Sequence, residues 1–260
     1  MFKLSISNIG WPNENDLSVY SLMQKIGFSG LEIAPTKIFP SEPYDRIDEA
    51  HTWSKRLYND YGFIISSMQS IWYGKTGKIF GQERNELLLY TKKAVDFAEA
   101  VGCRNIVFGC PKNRIIPSGS SDDVAVAFFR ELGDYAHEHG TTIAMEANPV
   151  IYDTNYINTT EEAIDLVRRV ASEGFKLNLD VGTMIHNNED VSVLQGKLDL
   201  INHVHVSEPY LLTIQPHKIH SELSALLAES NYEKYISIEA KSTQDLEMIE
   251  REMLYVKKIF

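Results

Sequence analysis

The chain has 260 residues, 43% hydrophobic and 10% aromatic, and carries a formal charge of -11 at pH 7. That much apolar material builds a sizeable core and excludes a disordered chain, while the acidic balance argues against a protein that grips a nucleic-acid backbone, which needs a basic footprint. No apolar run approaches the ~18 residues of a membrane span, Met1–Gly10 holds no basic stretch ahead of a long apolar run, and Cys103 and Cys110 sit at opposite ends of one apolar run, where they are poorly placed to pair. A soluble, cytoplasmic, single-domain protein over residues 1–260 is therefore expected.

Phe2–Asn8 alternates Leu4 and Ile6 with Lys3, Ser5 and Ser7, which predicts a first strand. Asp16 caps a helical pattern through Leu17, Tyr20, Leu22, Met23 and Ile26 that stops at Gly27. Gly30–Ala34 is the second strand, with Leu31 and Ile33 flanking Glu32, and a loop punctuated by Pro35, Pro40 and Pro43 leads to a helix over about Tyr44–Tyr61. Phe63–Gln69 reads as strand three, followed by a loop holding Trp72, Tyr73 and Gly74 and by an amphipathic helix over Gln82–Val101. Strand four is Asn105–Gly109, then come the loop Cys110–Ser121, a helix over Asp122–His139 and strand five at Thr141–Glu146. After a long loop, Thr159-Thr160-Glu161-Glu162 opens a helix that runs to Glu173, and Lys176–Asp180 is strand six. A short helix is predicted near Glu189–Leu198, ahead of strand seven at Ile201–Val206. His217–Ser230 is helical, Tyr235–Glu239 is strand eight and Thr243–Ile259 is the last helix.

Short strands alternating with helices, mostly with a glycine just before the next strand, point to parallel βα units. Eight units of about 32 residues match the usual ~250-residue size of an α/β (β/α)8 TIM barrel. A doubly wound open sheet is the competing architecture, but no Gly-x-Gly-x-x-Gly follows strand one. No linker or composition shift marks a second domain.

The chemistry concentrates on the last four strands. Ile143 and Met145 oppose Thr142, Ala144 and Glu146; Leu177 and Leu179 oppose Lys176, Asn178 and Asp180; Val204 and Val206 oppose His203 and His205; Ile236 and Ile238 oppose Tyr235, Ser237 and Glu239. With the apolar face of each strand under the helices, Glu146, Asp180, His205 and Glu239 all point inward at the C-terminal mouth, where barrel enzymes place their sites. Carboxylates about 4 Å apart repel by roughly 4 kcal/mol per pair at an effective dielectric near 20. Without a cation some would take up protons. Three carboxylates and one imidazole make a reasonable shell for a divalent ion such as Mn2+, Mg2+ or Co2+, with Zn2+ the softer alternative.

Other residues carry two readings each. Lys112 and Arg114, in Cys-Pro-Lys-Asn-Arg after strand four, hold a phosphate or carboxylate, or belong to a solvated loop. Trp72, Tyr73 and Phe39 wall a substrate or anchor their loops, and His186 reaches the mouth or lies on the surface. Glu32, Gln69 and Asn148 end or follow inward faces, where they would orient substrate hydroxyls, and Glu208 or His217 would bind another. His203 lies one layer deeper than His205 and is expected to be a buried, hydrogen-bonded histidine; Cys110 has no obvious basic partner and reads as structural.

Leu-Asn-Leu-Asp-Val-Gly-Thr, Val-His-Val-Ser-Glu-Pro and Ile-Ser-Ile-Glu-Ala resemble the last three strands of the xylose isomerase-like barrels, Thr-Ile-Ala-Met-Glu-Ala-Asn-Pro their fifth, and Val-Phe-Gly-Cys-Pro-Lys-Asn-Arg a fourth-strand motif of the sugar phosphate isomerase/epimerase branch. The superfamily also includes ketose 3-epimerases, hydroxypyruvate isomerase, inosose dehydratases and apurinic-site endonucleases. The resemblance implies a metal shell of Glu146, Asp180, His205 and Glu239, with Glu146 and Glu239 doubling as acid/base groups on opposite faces of the substrate. Two departures count against a simple ketohexose 3-epimerase: Thr183 stands where those enzymes carry a histidine, and Leu211 where they carry an arginine. No histidine follows soon after Gln69, and that weakens the endonuclease reading.

The activity so implied is a metal-dependent isomerase or epimerase of a small carbohydrate-like compound, acting by proton transfer through an enediolate. A dehydratase, an apurinic-site endonuclease and a non-catalytic sugar-binding barrel are the rivals. A homo-oligomer is carried as an open expectation.

Overall fold

The computed structural model describes residues 2–260. Eight strands, β1 (Lys3–Ser7), β2 (Gly30–Ile33), β3 (Ile64–Met68), β4 (Ile106–Phe108), β5 (Ile143–Glu146), β6 (Phe175–Asp180), β7 (Ile201–Val206) and β8 (Tyr235–Ile238), pair in sequence order and close into a barrel. Every pairing is parallel, including the closing one, in which Leu4 faces Ile236 and Ile6 faces Ile238. Around it lie α1 (Asp16–Ile26), α2 (Pro35–Ile38), α3 (Ile47–Tyr61), α4 (Arg84–Val101), α5 (Asp123–Glu138), α6 (Thr160–Val170), α7 (Val181–Asn187), α8 (Lys218–Glu229) and α9 (Leu246–Ile259). Among the described residues no helix is long and apolar enough to cross a membrane.

Local chemistry explains the boundaries. At the start of α6 Thr159 and Glu162 form a reciprocal capping box, each side chain accepting from the other's backbone N–H at 3.2 Å. The core lies between the outward strand faces and the helices. Phe129 packs edge-on to Phe108 (ring centroids 4.9 Å apart) and stacks on Phe175 at 5.1 Å. Trp72 joins this layer, 4.8 Å from Phe108, and its indole N–H donates to Thr91 Oγ1 at 2.8 Å. It is therefore a core anchor, as is Phe39 against Phe97, and of the three aromatics considered for a substrate wall only Tyr73 is exposed.

Several helices differ from expectation: α2 forms within the proline-punctuated loop, α6 ends at Val170 and not Glu173, and α9 starts at Leu246 and not Thr243. The predicted helix from Tyr44 begins instead at Ile47, because Pro43–Asp45 forms a separate 3-10 turn. The short helix expected near Glu189–Leu198 resolves into 3-10 turns at Val191–Leu194 and Leu198–Leu200, while the helix proper, α7, starts directly out of β6. Asp180 caps it by accepting from Thr183 N at 2.6 Å. Gly182 permits the tight exit, since a Cβ there would lie 2.5 Å from Ser207 Oγ.

Candidate active site

Ladder pairing sets Asp180 beside His205, but it also sets Glu146 beside Asn178 and His205 beside Ser237. The four inward residues therefore do not share one ladder level. Strand tilt and the length of the two glutamates close the gap, and one ligating atom from each of Glu146, Asp180, His205 and Glu239 lies within 4.8 Å of all the others.

His205 is the hub. It is fully buried, with Nδ1 2.9 Å from Glu146 Oε1 and 3.2 Å from Glu239 Oε2. Its Nε2 lies 2.9 Å from Glu32 Oε2, and the same oxygen lies 3.2 Å from His203 Nε2. Gln69 holds the other Glu32 oxygen, donating from Nε2 at 2.9 Å, and donates to Ser7 Oγ at 2.9 Å as well. Glu146 is held by donors from Asn178 at 2.8 Å and Asn148 at 3.0 Å. Both oxygens of Asp180 are engaged, one by Thr183 N and the other by Ser207 Oγ at 2.6 Å, yet a carboxylate keeps lone pairs beyond those two bonds.

Burial and the neighbouring Glu146 and Glu239 push the Asp180 carboxyl up to about 7. Burial, with Glu146 and Glu32 nearby, also raises Glu239. Burial opposes a charge on His205, but Glu32 and Glu239 outweigh it and hold the imidazole well above its ordinary range. Glu32 is the mirror case: burial opposes its charge, and His205 and His203 keep it ionised. The donor set thus needs positive charge at its centre.

His205 Nδ1 supplies the test of fit for a metal. It is buried and close to two carboxylate oxygens, yet no hydrogen bond of acceptable angle satisfies it. With Nε2 turned to Glu32, Nδ1 is the nitrogen left to ligate, in the carboxylate–histidine arrangement that orients metal-binding imidazoles. The residues present fit a divalent cation.

A family model described as a xylose isomerase-like TIM barrel matches residues 20–259. The chain belongs to this family. Among solved structures it resembles D-psicose 3-epimerase from Clostridium cellulolyticum H10, crystallised with D-tagatose, at 18% identity over 99% of each chain and a TM-score of 0.78. It also resembles the 3-keto-D-glucoside 4-epimerase YcjR from E. coli, at 18% identity over 99% of each chain and a TM-score of 0.75. The IolI protein, solved with a bound zinc atom, is 17% identical over 99% of this chain and 96% of that one, with a TM-score of 0.71. At these identities the likeness is one of fold. A search of curated proteins finds no match.

In this xylose isomerase-like barrel several residues expected to contact substrate do other work. Arg114 is fully buried, and its guanidinium donates to Glu146 O at 2.9 Å, Asn148 Oδ1 at 2.8 Å and Ile157 O at 3.3 Å. Burial lowers its pKa to about 10. Lys112 is exposed. The pair is therefore split: Arg114 is a clamp on the end of β5, its two terminal nitrogens engaged by Glu146 O, Ile157 O and the Asn148 side chain, while its Nε has no partner among the described residues. Gln69 is turned to Glu32 and Ser7. Asn148, bonded to both Glu146 and Arg114, lies at the cluster. Glu208 and His217 come together in the loop after β7, with Glu208 Oε1 2.9 Å from His217 Nε2 and accepting from Gln215 N at 2.9 Å. His186 lies half-buried on α7. Cys103 and Cys110 are unpaired, and burial pushes both thiols up to about 12.

Three contributors do work that the sequence did not show. Glu32, expected to orient a substrate hydroxyl, supports His205 from across the lumen. Asn178 was legible as an inward polar residue one layer below Asp180, but its partner was not. Tyr152 belongs to the loop after β5; its hydroxyl accepts from Tyr210 N at 2.7 Å, and burial together with Asp180, Glu239 and Glu146 raises it to about 12.

Proposed function

We propose that this barrel is a divalent-metal-dependent isomerase or epimerase acting on a small sugar, sugar phosphate or related α-hydroxycarbonyl compound. The observation that carries the reading is the convergence of Glu146, Asp180, His205 and Glu239 at the C-terminal mouth, with ligating atoms within 4.8 Å of one another. A divalent ion held by these four would supply Lewis acidity, polarising a substrate carbonyl and lowering the cost of the enediolate formed when a C–H proton leaves.

The chain's own residues move the proton. Glu146 and Glu239 come from β5 and from the end of β8, three strand positions apart in a ring of eight, and so reach the centre from well-separated directions. One removes the proton and the other returns it. Return to the opposite face of the same carbon epimerises; return to the neighbouring carbon isomerises. Asn178 and Asn148 fix the Glu146 carboxylate, while Glu239 has no comparable amide support and burial raises its pKa. Glu32, fixed by Gln69, keeps the His205 ring oriented. Glu208 and His217 form a polar pair suited to a substrate hydroxyl.

The test is exchange of substrate hydrogen with deuterated water, with Mn2+ and a panel of ketoses, keto acids and their phosphates. Wild-type exchange that is lost in Glu146→Gln and Glu239→Gln, both still folded, supports the reading; full exchange in both variants overturns it. Product analysis separates isomer formation from loss of water.

A further inference from the structure

The opposite end of the barrel holds a feature that the mouth chemistry does not use. A cavity of about 920 Å³ opens at the N-terminal face, between the starts of β1, β3 and β8, the flank of α3 and the end of α4. This is in the size range of small-molecule sites. Its origin can be traced to the strands. The lower inward layer of a TIM barrel is ordinarily filled by bulky branched side chains; here Ser5 and Ser66 meet through their hydroxyls at 2.6 Å, and Gly30 lies beside them. The Tyr235 ring fills the niche at Gly30, where a Cβ would lie 2.6 Å from it, and the cavity extends inward past Ser66 to His203.

The lining is electropositive. Lys3, Lys55, Arg104 and Lys234 face it, and among the described residues none of these four forms a salt bridge. Of the two acids in the wall, Glu99 is bonded to His139 at 2.7 Å. Four unpaired cations gathered in one hollow of a chain with a net charge of -11 are a concentrated exception to its surface. Burial and the nearby Lys176 hold Lys234 below the ordinary lysine range, with Asp199 only partly offsetting them, and its ammonium donates to Ile201 O at 3.0 Å. The rest of the wall is mixed: Tyr58, Phe63 and Ile64 form an apolar, partly aromatic strip, with Tyr58 and Ile64 59% and 42% exposed, beside the polar Asn59, Asn105 and Asn202.

From the cavity, its cations and its aromatic wall we infer a second binding site, at the N-terminal end of the barrel, for a small organic anion with a flat apolar body. The apolar body lies against Tyr58, Phe63 and Ile64, and the acidic group meets Lys55 and Arg104. The site is separate from the mouth: His203, which roofs it, lies one layer below His205 and shares Glu32 with it.

The probe is anilinonaphthalene sulfonate, an aromatic anion whose fluorescence rises on transfer from water to an apolar site. Titration of the full chain should give one saturable site per chain. The exposed pair Lys55→Glu and Arg104→Glu should weaken binding by about tenfold or more, and Glu239→Gln at the mouth should leave it unchanged. The alanine versions, Lys55→Ala and Arg104→Ala, give a smaller loss in the same direction and keep the test usable if the charge reversals fold poorly. Wild-type affinity in the charge-reversed and alanine variants, or loss of binding in Glu239→Gln instead, overturns the proposal.

Discussion

The two ends of the barrel lumen are built on the same inward strand faces and are opposite in character. At the mouth three carboxylates surround one imidazole; at the floor four cations border a hollow with an aromatic strip, above which small hydroxyl side chains meet. The His203–Glu32–His205 chain joins them, with both imidazoles facing one carboxylate oxygen. The difference teaches where each end gets its groups. The mouth is made of strand tips, whose side chains converge because the barrel closes. The floor is made largely of helix flanks and loop residues, which diverge and leave space. Convergence favours an ion, and space favours a larger organic ligand.

The comparison breaks most readily at the glutamates. Glu239→Gln or Glu146→Gln should cut hydrogen exchange by about a hundredfold to ten-thousandfold and leave affinity at the floor alone. Gly109→Ala is the subtler version. A Cβ at Gly109 would lie 2.8 Å from Glu146 Oε2, an atom that Asn148 holds at 3.0 Å. The carboxylate must shift, and turnover should fall by up to about a hundredfold with the melting temperature nearly unchanged. Comparable turnover in this variant would show that Glu146 needs no fixed position.

Glu32→Gln sharpens the link between the two ends. It leaves all four proposed metal ligands in place but removes the charge that supports His205. Mn2+ affinity by calorimetry should drop by about tenfold to a hundredfold, as for other partners of metal-bound histidines. The floor variants Lys55→Ala and Arg104→Ala should bind Mn2+ like the wild type.

The smallest expected effect is on pH dependence. The Asp180 carboxyl is raised from 3.8 to about 7, chiefly by burial and then by Glu146 and Glu239. Between those values the folded protein holds a proton that the unfolded chain has lost, so this group's contribution is fully present below pH 3.8 and is lost as pH rises through about 7. Metal-free wild type should therefore lose melting temperature relative to Asp180→Asn across that window, and added Mn2+ should remove the difference. A constant offset between the two proteins would show that Asp180 ionises normally.

Much of this was legible along the chain, for a local reason. Strand seven was expected at Ile201–Val206 and forms there, because alternating Val204 and Val206 against His203 and His205 leaves one register that buries the valines. The same period placed Glu146, Asp180 and Glu239 on inward faces. The failures share a cause as well. Arg114 reads as a loop cation available to an anion, and only the fold shows its terminal nitrogens turned to Glu146 O and Ile157 O. Trp72 looked like a mouth residue until β4 and α4 closed around it. The helix out of Asp180 was hidden by a glycine whose purpose, clearance from Ser207, is a tertiary contact.

Local sequence thus sets which face each side chain takes, since covalent geometry turns successive strand residues to opposite sides. Which atoms meet on the inside was decided only by closure of the barrel. Glu32 and His205 are 173 residues apart and lie 2.9 Å from each other across the lumen, a pairing set by strand order and tilt and carried by no local pattern around either residue.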